Sequence, residues 1–320
     1  MSIAVIVPTY RRSQDLARCL QALQNQTRSA DEVIVVVRDT DTETWSFLAA
    51  FEPKNLPLRT AKVSVSGVVA AMNTGLDTAT TDIVAFTDDD AAPHTDWLAR
   101  IESYYLADER VGGVGGRDWV YHGTDLEDGN SVTVGQVRWF GKVIGNHHIG
   151  SGEAREVDVL KGVNMSFRRA AIEGWHFDER MRGTGAQVHF ELAFSLKLKR
   201  AGWKLIYDPK IAVNHYPAKR FDEDQRQSFN QIAFANAVHN ETLALLEYFS
   251  PLQKLAFLFW AITVGTREAV GFMQWLRFVP SQGLLAGKKL FASLRGRWQG
   301  LQTWQASKSI INKALINYNS

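Results

Sequence analysis

The chain has 320 residues, 45% of them hydrophobic, with 36 Lys and Arg against 34 Asp and Glu, one Cys and eight Pro. These figures exclude a disordered, collagen-like or disulfide-stapled protein and leave room for one large domain or two ordinary ones. The net charge of +2 conceals an asymmetry: from Phe249 to Ser320 nine basic residues stand against one acid, Glu268, a net +8, so residues 1–248 carry about −6.

In chain order, Ile3–Val7 (IAVIV) is a continuous apolar, β-branched run and predicts a first strand. The charges of MSIAVIVPTYRR follow the apolar run instead of preceding it, which is the order of a strand and its turn, not of a signal peptide. Ser13 is a candidate N-cap for a helix with apolar residues at 16, 19, 20 and 23. Cys19 lies within that stripe, so it reads as a buried core thiol, and a chain with one Cys fits a reducing compartment. Glu32–Val37 (EVIVVV) predicts a second strand, Val63 and Val65 the start of a third, VVAAMNTGL a helix, and Asp82–Phe86 (DIVAF) a fourth strand. Uninterrupted apolar strands separated by helices indicate a parallel sheet covered on both faces, a doubly wound α/β fold.

After residue 110 the pattern turns to Gly-rich strands (VGGVGGRDWVYHG and NSVTVGQVRWFGKVIG), and KGVNMSFRR then reads as strand into helix. Phe190–Ala201 predicts an amphipathic helix closed by Gly202, Trp203–Tyr207 a short strand, and Asp222–Glu247 a helix. From Pro251 onward the pattern is helical, with breaks at Pro280 and Gly283.

Ligands of open α/β sheets bind outside the carboxyl ends of the strands, where this chain places clusters of polar residues. The first strand ends in Pro8-Thr9-Tyr10-Arg11-Arg12, an aromatic plane and two guanidiniums suited to a nucleobase and phosphate, or alternatively a plain turn. The second ends in Arg38-Asp39-Thr40-Asp41, where a carboxylate can accept from a base or ribose or cap the next helix. The fourth ends in Thr87-Asp88-Asp89-Asp90. Three adjacent carboxylates repel unless a cation or strong donors compensate. In an extended segment Asp88 and Asp90 converge while Asp89 turns away, and such hard oxygen ligands suit Mg²⁺ or Mn²⁺.

PTYRR, VVVRDTDTET, SGVVAAMNTGLDTATTDIVAFTDDDAAP and KGVNMSFRR, in that order and spacing over roughly residues 1–220, resemble the GT-A fold glycosyltransferases of family 2. The resemblance implies a Rossmann-like GT-A catalytic domain over residues 1–220, followed by a helical, basic, Trp-rich region over 221–320. It implies that Pro8, Thr9, Tyr10, Arg11 and Asp39, with Asp88 and Asp89, hold a nucleoside-diphosphate sugar. It further implies that Asp88 and Asp90, joined by His215 of AVNHYP, hold Mn²⁺ or Mg²⁺. Without the family, His215 reads as a structural histidine beside Tyr216. Gly162 and Asn164 of Lys161-Gly162-Val163-Asn164 fall beside the donor sugar or acceptor.

Inverting transfer needs a general base, which the family commonly supplies from a Glu-Asp pair followed by one residue, an acid and Leu. Here Glu191-Leu192 matches the later acid, and the usual pair falls on Val188-His189. Glu191 is the first candidate base and His189 the second, with the loop Gly183–Gln187 able to shift the register. Glu191 could instead only favour a helix N-terminus. Arg38 stands where the family often has an acid, and Met72 where Arg often precedes Asn73. His147-His148, in a Gly-rich loop, either lines an acceptor cleft or is incidental.

Trp260, Trp275, Trp298 and Trp304 lie among the basic residues of the tail, a composition found at membrane interfaces. Its most apolar stretch, Leu255–Gly265, is bounded by Lys254 and Arg267 and falls short of the roughly 20 residues that span a bilayer. The expectation is peripheral, monotopic attachment to an anionic membrane surface on the cytoplasmic, inner face of the cell membrane. It includes a lipid-linked glycan or polysaccharide acceptor and no nucleic acid. The competing readings are packing of the tail onto the catalytic domain, a glycan-binding or scaffold protein without turnover, and a sugar nucleotidyltransferase, although PTYRR lacks the glycine of a nucleotidyltransferase phosphate loop.

Overall fold

A computed structural model describes residues 1–223 and 228–318, with side chains through Ser309. The chain divides into two compact units: residues 1–136, 144–177 and 194–221, and residues 137–143, 178–193 and 222–320.

The first unit opens with β1 (Ile3–Thr9), α1 (Ser13–Gln24), β2 (Glu32–Arg38), α2 (Thr42–Ala50), β3 (Leu58–Val63), α3 (Val68–Thr78) and β4 (Ile83–Phe86). β5 (Ala91–Pro93), α4 (Trp97–Ala107), β6 (Val111–His122) and the two-residue β7 (Asp125–Leu126) follow. β8 (Gln136–Val137) and β9 (Val143–Ile144) form a separate two-stranded ribbon. β10 (Arg155–Glu156), β11 (Met165–Arg168), α5 (Phe190–Arg200) and β12 (Lys204–His215) complete the α/β part. The main sheet runs β10-β12-β6-β11-β4-β1-β2-β3, with β5 on β12 and β7 on β6. β1 through β4 pair in parallel, and β11 enters antiparallel between β4 and β6. It is the mixed, mostly parallel sheet of a GT-A fold.

The residues of β1, β2 and β4 are buried along nearly their whole length because helices cover both faces. On one face α1 turns Leu16, Cys19, Leu20 and Leu23 inward at helical spacing. On the other, Phe86, Phe167, Phe177 and Phe194 form a ring cluster, with Phe177 stacked on Phe194 at 4.3 Å.

Several expectations are corrected. Ser13 is the first residue of α1, not its cap, and its hydroxyl donates to Glu43. β3 begins at Leu58 and ends at Val63, and Val65 is exposed. Residues 130–145 hold only the β8–β9 ribbon, and β11 leads into a single 3-10 turn, Arg169–Ala171. The short strand expected at 203–207 is the twelve-residue β12. α5 closes at Gly202 with φ +90°, as its sequence implies.

In the second unit, α6 (Gln231–Tyr248) is capped by Asn230; the helix expected from Asp222 includes residues 224–227, which lie outside those described. α7 (Pro251–Thr263) starts in a capping box of Ser250 and Gln253. α8 (Phe272–Gln282) and α9 (Leu284–Tyr318) follow. α9 approaches α6 through Gly296 and Gly300. A Cβ on Gly296 would sit 2.5 Å from the Ala235 carbonyl oxygen, and one on Gly300 2.8 Å from that of His239.

Candidate active site

β5 follows the triple aspartate directly and pairs antiparallel with the end of β12, His215 opposite Ala91. That pairing brings His215 to the aspartates, and ligand-capable atoms of Asp88, Asp90 and His215 lie within 4.8 Å of one another. β12 also runs parallel to β6 after a register shift between Asp208 and Val213, with Val213 opposite Asp118 and His215 opposite Val120. Side chains two apart share a face, so Asp118 lies beside His215. Nδ1 of His215 is 3.6 Å from Asp118 and Nε2 is 3.4 Å from Asp90. Asp118 is fully buried and accepts a 2.5 Å hydrogen bond from Lys161.

Asp89 turns away from this cluster. It accepts from the Thr9 hydroxyl at 2.8 Å and from Arg12 at 2.7 Å, which fastens the ends of β4 and β1 together. Asp90 accepts from the Ala218 backbone N–H at 2.9 Å, and Arg12 also donates to the Lys219 carbonyl.

The charges sort themselves accordingly. Burial raises the Asp88 carboxyl, and repulsion from Asp90 adds to this. Burial likewise raises Asp89 against the opposing pull of Arg12. Burial would raise Asp90 too, but His215 and Arg12 outweigh it and hold Asp90 low. Burial would lower His215, yet Asp118 and Asp90 on either side push it up to about 9. A pocket with this much paired negative charge suits a hard divalent cation. Oδ1 of Asp90 is buried and faces Nε2 of His215 at 3.4 Å, with the Asp88 carboxylate beside them, and this oxygen–nitrogen donor set fits Mn²⁺ or Mg²⁺.

At the other strand ends, the Arg38 guanidinium lies 3.9 Å from the Tyr10 ring centroid and that of Arg11 lies 5.1 Å from it. Arg11 has φ +56°, and its N–H donates to Asp41. Asp41 is buried and caps α2 through Thr44, so the structural capping role falls to Asp41 and leaves the exposed Asp39 carboxylate at the mouth of the strand. Pro8 is half-buried beside Thr9.

Two expected roles fall on groups that are already engaged within the protein. The Asp89 carboxylate is taken up by Thr9 and Arg12, so it organises the floor of the site. Asn164 is buried, donating to the carbonyls of Arg117 and Ile211 and accepting from Trp97 Nε1, which leaves no side chain for a sugar; Gly162, in the same turn, is buried too. His147, for which an incidental place in its loop is the alternative reading, is buried and donates to the Val159 carbonyl. Asn73 is also structural, its amide bonded both ways to the Phe177 backbone. Asp118, Lys161 and Arg12 are the residues of the cluster that motif reading did not assign to it.

The candidate bases belong to the second unit. Glu191 occupies the first turn of α5 and is half-buried. His189, just before the helix, has φ +76°, and Gln187 has φ +41°, conformations that L side chains rarely adopt. Buried Asn240 of α6 holds this loop, donating to the carbonyls of Arg182 and Val188 and accepting from the Arg182 N–H. His189 lines a cavity of about 470 Å³ with Phe229, Phe234, Glu241, Arg267 and Lys289.

Such a sheet, with a carboxylate–histidine cluster at its strand ends, defines a glycosyltransferase of the GT-A type. The sequence profile of glycosyl transferase family 2 matches residues 4–174, and the chain belongs to that family. The chain is 27% identical over 234 residues to glycosyltransferase AglE of Haloferax volcanii, covering 71% of this chain and 70% of that protein. It is 24% identical over 225 residues to a glucosyl-dolichyl phosphate glucuronosyltransferase of the same organism, covering 67% and 69%. Among solved structures, the mannosyltransferase PcManGT from Pyrobaculum calidifontis, in complex with GDP-Man and Mn²⁺, superposes with a TM-score of 0.55 at 18% identity, covering 97% of this chain and 86% of that one.

Proposed function

We propose that the protein is a metal-dependent inverting glycosyltransferase that moves a sugar from a nucleoside-diphosphate sugar to a lipid-linked or polysaccharide acceptor. It works peripherally on the inner face of the cell membrane. The observation that carries the reading is the convergence of Asp88, Asp90 and His215 at the strand ends. A divalent ion held there would supply Lewis-acid stabilisation of the charge that develops on the departing nucleoside diphosphate. Asp88, Asp90 and His215 would hold Mn²⁺ or Mg²⁺, while Asp89 and Arg12 fix the β1 and β4 ends beside them. Tyr10, Arg11 and Asp39 receive the nucleoside. Glu191 removes the acceptor hydroxyl's proton, with His189 as the alternative base. The dolichyl-linked substrate named for one relative supports a lipid-linked acceptor.

The test is transfer from a panel of UDP- and GDP-sugars to envelope lipid extract, with and without Mn²⁺ or Mg²⁺. Activity is expected to vanish on chelation and in Asp90→Ala. Glu191→Gln is expected to lose turnover while retaining nucleotide binding. Full transfer in the presence of chelator would overturn the reading, and nucleotide binding without turnover on any acceptor would favour a scaffold.

A further inference from the structure

Twelve of the twenty exposed large apolar side chains among the described residues fall between Leu252 and Trp298, all within the second unit. They are ordered by helix. α7 packs Phe257 and Ala261 inward and turns Leu252, Leu255, Phe259 and Ile262 outward. α8 packs Trp275 and Phe278 against Phe234, Val238 and Ala292 and turns Phe272, Met273, Leu276 and Val279 outward. The two helices are joined by a tight turn bridged at Gly265 and Val270, and a Cβ on Gly271 would collide with the Ala261 and Ile262 carbonyls. α9 adds Phe291 and Trp298, seven residues and two helical turns apart. These helices are thus apolar on both sides, although they cover a folded core on only one.

We infer that the outward faces of α7 and α8, with Phe291 and Trp298 of α9, are a monotopic docking face for an anionic lipid bilayer. This assignment rests on the membrane reading above and adds which residues enter the lipid. Charge selects the occupant. From Pro251 to Ser309 the only acid is Glu268, and Arg277, Lys288 and Arg295 are exposed on the same helices. On α8, helical spacing puts Arg277 at the edge of the apolar arc, the arrangement of an in-plane interfacial helix with cations at headgroup level. Pairing the same face with a second copy would set like charges against each other, which disfavours self-association. α8 has eleven residues, roughly 16 Å, against a hydrocarbon thickness of about 30 Å, and no helix among the described residues is long and apolar enough to cross.

The test is flotation of the full chain with vesicles of phosphatidylcholine alone and of phosphatidylcholine with phosphatidylglycerol. The variants are Leu255→Asp with Phe259→Asp, Met273→Asp with Leu276→Asp, and Arg277→Glu with Arg295→Glu. The wild type is expected to float with phosphatidylglycerol vesicles. Each apolar pair of variants should lower partitioning at least about tenfold on both lipids, and the charge pair should lose only the phosphatidylglycerol-dependent part. Metal-dependent nucleotide binding and the thermal melt report whether each variant remains folded. Apolar variants that stay folded and float like the wild type would overturn this face while leaving membrane attachment standing. A wild type that does not float at all would overturn the membrane reading as well. A wild-type dimer converted to monomer by these substitutions, with flotation unchanged, would assign the face to a second copy and also overturn the proposal.

Discussion

His215 stands between two carboxylates with different tasks. Asp90 shares the candidate metal pocket with it, whereas Asp118, fully buried and paired to Lys161, lies behind its Nδ1. A carboxylate behind a metal-binding imidazole sets the ring's tautomer and orientation, and its loss usually costs about 10- to 100-fold in metal affinity. Asp118→Asn is therefore expected to weaken Mn²⁺ binding by about that factor, read from the EPR signal of free Mn²⁺, with the melt unchanged enough to show a folded chain; wild-type affinity would refute the positioning role. The pairing of Asp88 with Asp90 is legible in the sequence, but the expected extended alternation is not what produces it: β4 ends at Phe86, and the Ala91 N–H donates to the Asp88 carbonyl, closing a turn over Asp89 and Asp90. The role of Asp118 is not legible, since it depends on the register shift between Asp208 and Val213 that sets Val213 opposite Asp118. Other histidines predict a different response. Burial lowers His147 and His239 to about 4, below the value near 6.5 of an exposed imidazole. Above pH 6.5 both are neutral whether folded or not, so they contribute no pH dependence. Between about pH 6.5 and 4 the unfolded chain takes up protons that the folded chain refuses, and stability falls by about 3 kcal/mol for each, levelling below pH 4. Burial raises the Asp88 and Asp89 carboxyls, which act in the opposite sense over the same range, so the check is differential: the wild type's urea stability relative to His239→Gln should fall from pH 7 to pH 5, and a pH-independent difference would contradict it.

The tail shows how far an element can depart from its composition. Read as sequence, α9 is a basic, Trp-bearing helix bound for a membrane. In the structure its Gly296 and Gly300 let it close on α6, and Arg297 is buried against Glu241 at 2.6 Å while donating to the Thr242 hydroxyl. Three of the four tail tryptophans face protein: Trp260 tilts on Phe140, Trp275 joins the α6–α8–α9 cluster, and Trp304 lies between Lys254 and Lys308. The tail helices thus pack one face within their own unit and leave another apolar face exposed, and composition cannot separate faces whose inward partner lies far along the chain. Gly296→Leu should force apart backbone atoms that a Cβ would meet at 2.5 Å, lowering stability by about 1–3 kcal/mol in urea melts. The loop before α5 depends on α6 in a similar way. Asn240→Ala removes three hydrogen bonds to the backbone of Arg182 and Val188, leaving buried groups unsatisfied at a cost of about 1–3 kcal/mol. Because that loop sets His189 and the start of α5, transfer should fall more than nucleotide binding does, and equal losses would indicate general unfolding instead.

At the scale of the whole molecule, the near-neutral +2 resolves into an acidic body and a +8 tail, and the two respond differently to salt. Most of the acids that matter for chemistry are buried and paired, so screening reaches them weakly. The tail's exposed cations, Arg267, Arg277, Lys288, Arg295 and Lys308, face solvent and are worth about 1 kcal/mol each at an anionic surface. The Debye length shrinks from about 10 Å at 0.1 M salt to about 3 Å at 1 M, so their attraction should largely disappear over that range. The apolar side chains of α7 and α8 are not screened. Partitioning onto phosphatidylglycerol vesicles is therefore expected to fall steeply with salt and then reach a plateau set by Leu255, Phe259, Met273 and Leu276, while metal-dependent nucleotide binding changes little. A binding curve that falls to zero would make attachment purely electrostatic, and one that ignores salt would remove the charge argument for a bilayer. Cutting the chain after Phe249 cannot substitute for this titration. It would strip α9 from Phe234, Val238 and the Glu241 carboxylate, unfolding the second unit's core together with its surface.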